Sequence, residues 1–216
     1  MSRIVYDYWR SSAGYRVRIA LNLKGLEYER APMDLRKGAQ QSVGYRIINP
    51  QGLIPFLIDG DIGLHQSLAI IEYLDEKYPE PKLLPGDIDM RARIRAAALM
   101  IACDIHPLNN LRVQKWLKHE MAQEDAAIEK WLTHWIATGF QPLEEMCEGR
   151  GAGTGPYLFG DQPTMADILL VPQMYNARRI RMDLSAFPRL VEIDKALQHI
   201  PAFAAARPER QGDADH

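Results

Sequence analysis

Along its first 80 residues the chain alternates β-branched or aromatic runs with apolar residues at helical spacing; beyond them only the helical spacing persists. Arg3–Tyr8 (RIVYDY) reads as a short strand. Ser11–Lys24 sets Val17, Ala20, Leu21 and Leu23 at helical intervals, with Ser11 and Ser12 as candidate caps and Gly25 as terminator. Leu26–Met33 suits a second strand. Pro55–Asp59 and Ile62–Leu64 flank the turn Asp59-Gly60-Asp61 and predict a hairpin. Gln66–Tyr78 carries Leu68, Ile70, Ile71 and Leu74 in a helical stripe that Pro79 ends. The order β-α-β, then β-β-α, predicts a small α/β sandwich on a mixed sheet.

Pro79-Glu80-Pro81 and Pro85-Gly86-Asp87 mark a boundary between domains over residues 1–81 and 88–210. Past it, Asp89–Cys103, Glu124–Met146, Thr164–Arg179 and Phe187–Leu197 all predict helices, with Gly149–Gly155 (GRGAGTG) as a glycine-rich connection. Thr164-Met165-Ala166-Asp167 is a capping-box start with Asp in the usual Glu position. The polar tail after Pro208 is expected to fray. An α/β domain is thus followed by an all-α domain.

Composition bounds the class without naming a function. The 216 residues carry 26 Lys+Arg against 28 Asp+Glu, a net charge of −2, which argues against a nucleic-acid partner. With 47% hydrophobic and 25% charged residues the chain falls among soluble globular proteins. It shows no membrane-span run and no signal-peptide pattern. The two cysteines, Cys103 and Cys147, lack metal-site spacing, so no metal is expected and a reducing, cytoplasmic compartment is the simpler reading.

Three segments sit at strand ends, where open α/β sheets take ligands. Arg10-Ser11-Ser12-Ala13-Gly14 puts hydroxyls at a helix N-terminus, which suits an anion; plain N-capping is the alternative. In Asn49–Phe56, a cis bond before Pro55 would leave the Ile54 backbone for an extended peptide ligand, against an ordinary trans proline at a strand start. Gln66 and Ser67 would offer donors to an α-carboxylate, with capping again the competitor. Together they point to a small, anionic, peptide-like ligand. Farther on, His106-Pro107-Leu108-Asn109-Asn110-Leu111-Arg112 crowds polar groups into a proline-broken helix, with Cys103 one turn before His106. Asn176–Arg181 is a basic run that equally suits a solvated helix end.

In Arg10-Ser11-Ser12 with Arg16–Leu21, Gln66–Leu74, Asp104–Asn110 and Val171-Pro172-Gln173, in that order, the chain resembles zeta-class glutathione transferases and the related bacterial maleylpyruvate isomerases. The resemblance implies a thioredoxin-like, glutathione-binding N-terminal domain with a cis-proline at Pro55. It further implies an all-helical, substrate-binding C-terminal domain and a homodimer. Carried over by position, Gln66 and Ser67 match the γ-glutamyl site, Ile54 the cysteinyl backbone contact and Gln41 a glycyl-end contact. Ser11 and Ser12 lie beside the thiol, and His106 falls at a further glutathione contact. Ala13 stands where the zeta motif has cysteine.

The implied activity is glutathione-dependent cis–trans isomerisation of a maleyl diketo acid by reversible thiolate addition, within aromatic amino acid (tyrosine) breakdown or gentisate breakdown. Such chemistry needs a thiolate-favouring site, here Ser11, Ser12 and the helix N-terminus, and donors for a dianion, with Arg10 beside the thiol site counted as catalytic with the two serines. Arginine suits carboxylates because its planar fork binds them bidentately, so Arg10, Arg179 and Arg112 are the candidates. The same resemblance admits two alternatives: a transferase that conjugates or dehalogenates small electrophiles, or a non-catalytic interaction protein of this fold.

Overall fold

The structure, a computed structural model, describes residues 2–148 and 155–215. Alternation puts Val5 and Asp7 on the covered face of β1 (Arg3–Asp7) and the half-buried Ile4 and Tyr6 on the other. Helix α1 (Ser12–Leu23) then crosses to β2 (Glu29–Pro32), parallel to β1. The expected strand starts three residues late because the chain is still closing α1. Gly25 takes φ +64 and the Leu26 N–H returns to Leu21 O at 2.9 Å.

A six-residue helix, α2 (Val43–Ile48), follows, too short to show a stripe in the sequence. The expected hairpin forms as β3 (Phe56–Asp59) and β4 (Ile62–His65), antiparallel to one another, with β3 antiparallel to β1. The mixed sheet has the order β2-β1-β3-β4. Helix α3 (Ser67–Lys77) packs beside α1, and Val5, Val17, Leu21, Leu57, Ile70, Ile71 and Leu74 are wholly excluded from solvent. Each such side chain contributes about 1.5–3 kcal/mol relative to exposure. This is the thioredoxin-like layer expected of the N-terminal half.

The chain divides into two compact units. One holds residues up to Leu83 together with those from His199 onward; the other is Leu84–Gln198. The second unit is helical. Asp87 caps α4 (Ile88–Leu99), its side chain accepting the Met90 N–H at 2.9 Å. The helix expected to reach Cys103 continues past α4 as a π-helical stretch, Met100–Ile105, then α5 (His106–Asn109). The wider π turn lets the chain stay helical up to Pro107, which offers no N–H to an ordinary ladder. Helices α6 (Leu111–His119), α7 (Asp125–Glu148), α8 (Met165–Arg179) and α9 (Pro188–Leu197) complete it. Residues 149–154 of the expected glycine-rich connection lie outside the described residues.

From Met165 to Met174 every residue of α8 is buried, as expected of a helix at the centre of a unit. Its capping box forms. Asp167 accepts from the Thr164 N–H (2.7 Å), the Thr164 hydroxyl (2.8 Å) and the Leu158 N–H (3.0 Å). Burial outweighs these bonds and pushes the Asp167 carboxyl up to about 6.

Two expectations need correction. The second domain does not run to residue 210, because α10 (Pro201–Ala206) packs on α1 in the first unit. Nor does the tail after Pro208 fray. A 3₁₀ turn, Pro208–Arg210, leads to a buried Gln211, whose amide donates to Ala205 O (3.0 Å) and Arg207 O (2.8 Å).

Candidate functional site

The turn after β1 is a helix cap. Ser11 adopts an extended conformation, its hydroxyl oxygen accepts the Gly14 N–H at 3.1 Å, and its own N–H donates to Tyr8 O at 2.8 Å. The capping role is therefore realised at Ser11, which still has its hydroxyl proton to donate. Ser12, the first residue of α1, is buried. The Arg10 guanidinium lies over the Trp9 ring, 5.4 Å from its centroid.

At α3 the bland alternative is not what the structure holds. Gln66, at the N-cap position, has φ +70 and makes no side-chain cap. Its amide donates instead to Gln51 Oε1 at 3.1 Å. Ser67, 6% exposed, accepts from Arg16 Nη1 of α1 at 3.3 Å. The first N–H groups of α3 thus have no capping side chain from Gln66, at the positive end of the helix dipole.

The loop between these helices is held from below. Leu53 O accepts from the Tyr45 hydroxyl (2.6 Å) and Asn49 Nδ2 (2.7 Å). The Ile54–Pro55 bond is cis, and the β3 ladder begins only at Phe56, leaving Ile54 outside the register. Gln41 donates to Gly52 O at 2.8 Å, so its amide nitrogen braces this loop. Hydrogen bonds therefore join Gln66 to the Asn49–Phe56 segment through Gln51, and Ser67 to α1, the helix that begins at Ser12, through Arg16.

An ionic network behind the β1–α1 turn went unread in the sequence. Asp7 and Arg18, both with side chains wholly buried, form an ion pair. Arg18 also donates to Trp9 O (2.9 Å) and Ala206 O (3.0 Å), while Asp7 accepts the Tyr8 N–H at 2.7 Å. Arg30 reaches Asp7 at 3.4 Å and Asp213 at 2.6 Å. The available signal was a pair of charges on core-facing positions of an apolar strand and helix.

In the second unit, His106 is the half-buried first residue of α5. Its turn is fixed by Trp131 Nε1 donating to Leu108 O (2.8 Å), Gln114 to Asn109 O (2.7 Å) and Gln173 to Asn109 Oδ1 (3.3 Å). Asn110 caps α6 by accepting the Arg112 N–H, and Arg112 itself is exposed. In the basic run, Arg178 is engaged by the buried Asp194 at 2.5 Å, and Arg179 is exposed in the last turn of α8. Cys103 is exposed, and Cys103 and Cys147 form no disulfide. Among the described residues no His, Cys, Asp or Glu cluster could hold a metal, and no helix is long and apolar enough to cross a membrane.

A donor set of this kind fits glutathione. The uncapped helix suits a carboxylate, the backbone at Ile54 suits an extended peptide, and the Ser11–Ser12 hydroxyls suit a thiolate. Residues 1–76 match the family described as "Glutathione S-transferase, N-terminal domain". The chain is 49% identical to a probable maleylacetoacetate isomerase of Vibrio cholerae, with 99% of each chain covered. It is similar to a holo maleylpyruvate isomerase described as a zeta-class bacterial glutathione transferase, with TM-score 0.96 and 43% identity over 98% of this chain and all of that one. It is also similar to a maleylacetoacetate isomerase of Methylobacterium extorquens AM1 with bound malonate and glutathione. There the TM-score is 0.94 and the identity 38%, over 99% and 100% of the two chains.

Proposed function

The chain belongs to the zeta-class glutathione transferase family of maleylacetoacetate and maleylpyruvate isomerases, and on that premise we propose the reaction it performs and the residues that perform it. It is a glutathione-dependent cis–trans isomerase of maleyl-type diketo acids. The observation that carries this reading is the α3 N-terminus, uncapped and hydrogen-bonded through Ser67 to the helix that presents Ser11 and Ser12. Glutathione, when bound, supplies the thiolate whose reversible addition gives the maleyl double bond single-bond character so that it can rotate.

The chain's own residues have three tasks. Gln66, Ser67 and the first N–H groups of α3 hold the γ-glutamyl carboxylate. Ile54, presented by Pro55, pairs with the cysteinyl backbone, with Gln41 and His106 as further contacts. Ser11 and Ser12 donate toward sulfur and keep it anionic at neutral pH, helped by the α1 dipole. Arg10, Arg179 and Arg112 are the candidate ligands for substrate carboxylates, and Arg10 also stabilises the charge that develops on the carbonyl side.

We assign the first unit to glutathione and the second to the diketo acid. The protein is read as cytoplasmic, which its two cysteines, not joined in a disulfide, support. It is read as a homodimer, supported by the exposure of Val43 and Ile47, 80% and 78%, one turn apart on α2. The reaction is tested by supplying maleylacetoacetate and maleylpyruvate with and without glutathione. Turnover is expected only with glutathione, which is not consumed. Net glutathione consumption without isomerisation would instead identify a conjugating transferase.

A further inference from the structure

The last residues of the chain return to the turn that carries Arg10, Ser11 and Ser12. Asp213 Oδ2 accepts the Trp9 N–H at 3.2 Å, and its Oδ1 accepts from Arg30 at 2.6 Å. Asp213 and Arg30 side chains are 19% and 15% exposed, so the pair is largely shielded from solvent. Two residues on, Asp215 pairs with Arg36, whose guanidinium lies 5.9 Å from the Tyr8 ring centroid. Trp9 is thereby gripped on both sides of its backbone. Arg18 takes its carbonyl and Asp213 its N–H, and Arg30 joins the two through Asp7.

We infer that Asp213 is a positioning residue for the reaction, a C-terminal clasp that fixes the Trp9–Ser12 turn and hence the hydroxyls beside the thiol. The inference rests on the reading of Ser11 and Ser12 proposed above. Its physical basis is that a turn aiming donors at a thiolate must hold them to a fraction of an ångström, and no ladder hydrogen bond reaches past Asp7 on β1 to do so. A carboxylate with one oxygen on the turn and one on a buried arginine network transmits the rigidity of the core to that turn.

Asp213→Ala is the principal test and Asp213→Asn, which keeps the shape and one acceptor, the second. Isomerase kinetics, amide hydrogen exchange without glutathione and thermal melting are measured on each. The expected result for Ala is a fall of about tenfold in kcat with glutathione KM within about twofold. Exchange at Ser11 and Gly14 is expected to accelerate while Leu57 in β3 keeps its protection, and Asn is expected to fall between Ala and wild type. Unchanged kcat, with or without faster exchange at the turn, overturns the inference. So does acceleration spread evenly over β3 and the turn, which would make Asp213 a general stabiliser. If wild type itself shows no glutathione-dependent turnover, the isomerase reading fails instead, and the exchange measurement still decides whether Asp213 pins the turn.

Discussion

The carboxylate of Asp7 occupies the space where a side chain on Gly14 would begin: a methyl group built there would lie 1.7 Å from Asp7 Oδ1. Asp7 cannot withdraw, because Arg18 and the Tyr8 N–H hold it in a fully buried position. In an open helix Gly→Ala gains about 1 kcal/mol from propensity. Here the overlap is with a pinned charge, and the cost of forced overpacking, about 3 kcal/mol, prevails. Gly14→Ala is therefore expected to lower stability by about 2 kcal/mol net, measured by urea unfolding; a stabilised variant would show that Asp7 is free to move.

Ser67 sits between Arg16 and the uncapped end of α3. On the proposed binding mode, removing its hydroxyl would take away one hydrogen bond to the γ-glutamyl carboxylate, and bonds to charged groups contribute about 1.5–3 kcal/mol. Ser67→Ala is expected to weaken glutathione binding about tenfold to a hundredfold by titration calorimetry, with the bound thiol still ionising normally.

The two adjacent arginines at the end of α8 should separate by role. Arg178 serves Asp194, which is only 2% exposed, whereas Arg179 is the candidate for a substrate carboxylate. Arg179→Ala is expected to lower kcat/KM at least about tenfold, the loss of one charge-assisted hydrogen bond to the carboxylate. Arg178→Ala is expected to lower melting temperature and leave kcat/KM within about threefold. Equal kinetic effects would place neither residue at the carboxylate.

Asp167 predicts a pH dependence. Its folded pKa, near 6, lies above the ordinary 3.8, so the folded chain holds a proton that the unfolded chain has lost between those values. That contribution to stability is complete below the lower value and is lost as pH rises through the upper one. Between pH of about 4.5 and about 7 the wild type is expected to lose about 2 kcal/mol more than Asp167→Asn, read from urea unfolding at each pH. Parallel curves would mean that the carboxyl is already ionised throughout.

Much of this was legible because it is local. Ser11 as a cap, Gly25 as a terminator, the hairpin at Asp59-Gly60-Asp61 and the Thr164–Asp167 box each depend on residues a few positions apart. The candidate glutathione segments were found the same way, as polar residues at strand ends. α2 and α6 were missed, being too short or too polar to show a stripe.

What the sequence determined alone is therefore the division into an α/β part and a helical part, most element boundaries, and the segments able to carry the chemistry. Periodicity and capping are short-range properties, written in neighbouring residues. The tertiary structure alone decided which of those polar groups have partners. It paired Arg16 with Ser67 across 51 positions, Arg18 with Ala206 across 188 and Trp9 with Asp213 across 204, and so drew a tail expected to fray back onto the β1–α1 turn. A buried charge must find its partner wherever the chain brings one, and that search is settled by packing, not by spacing along the sequence.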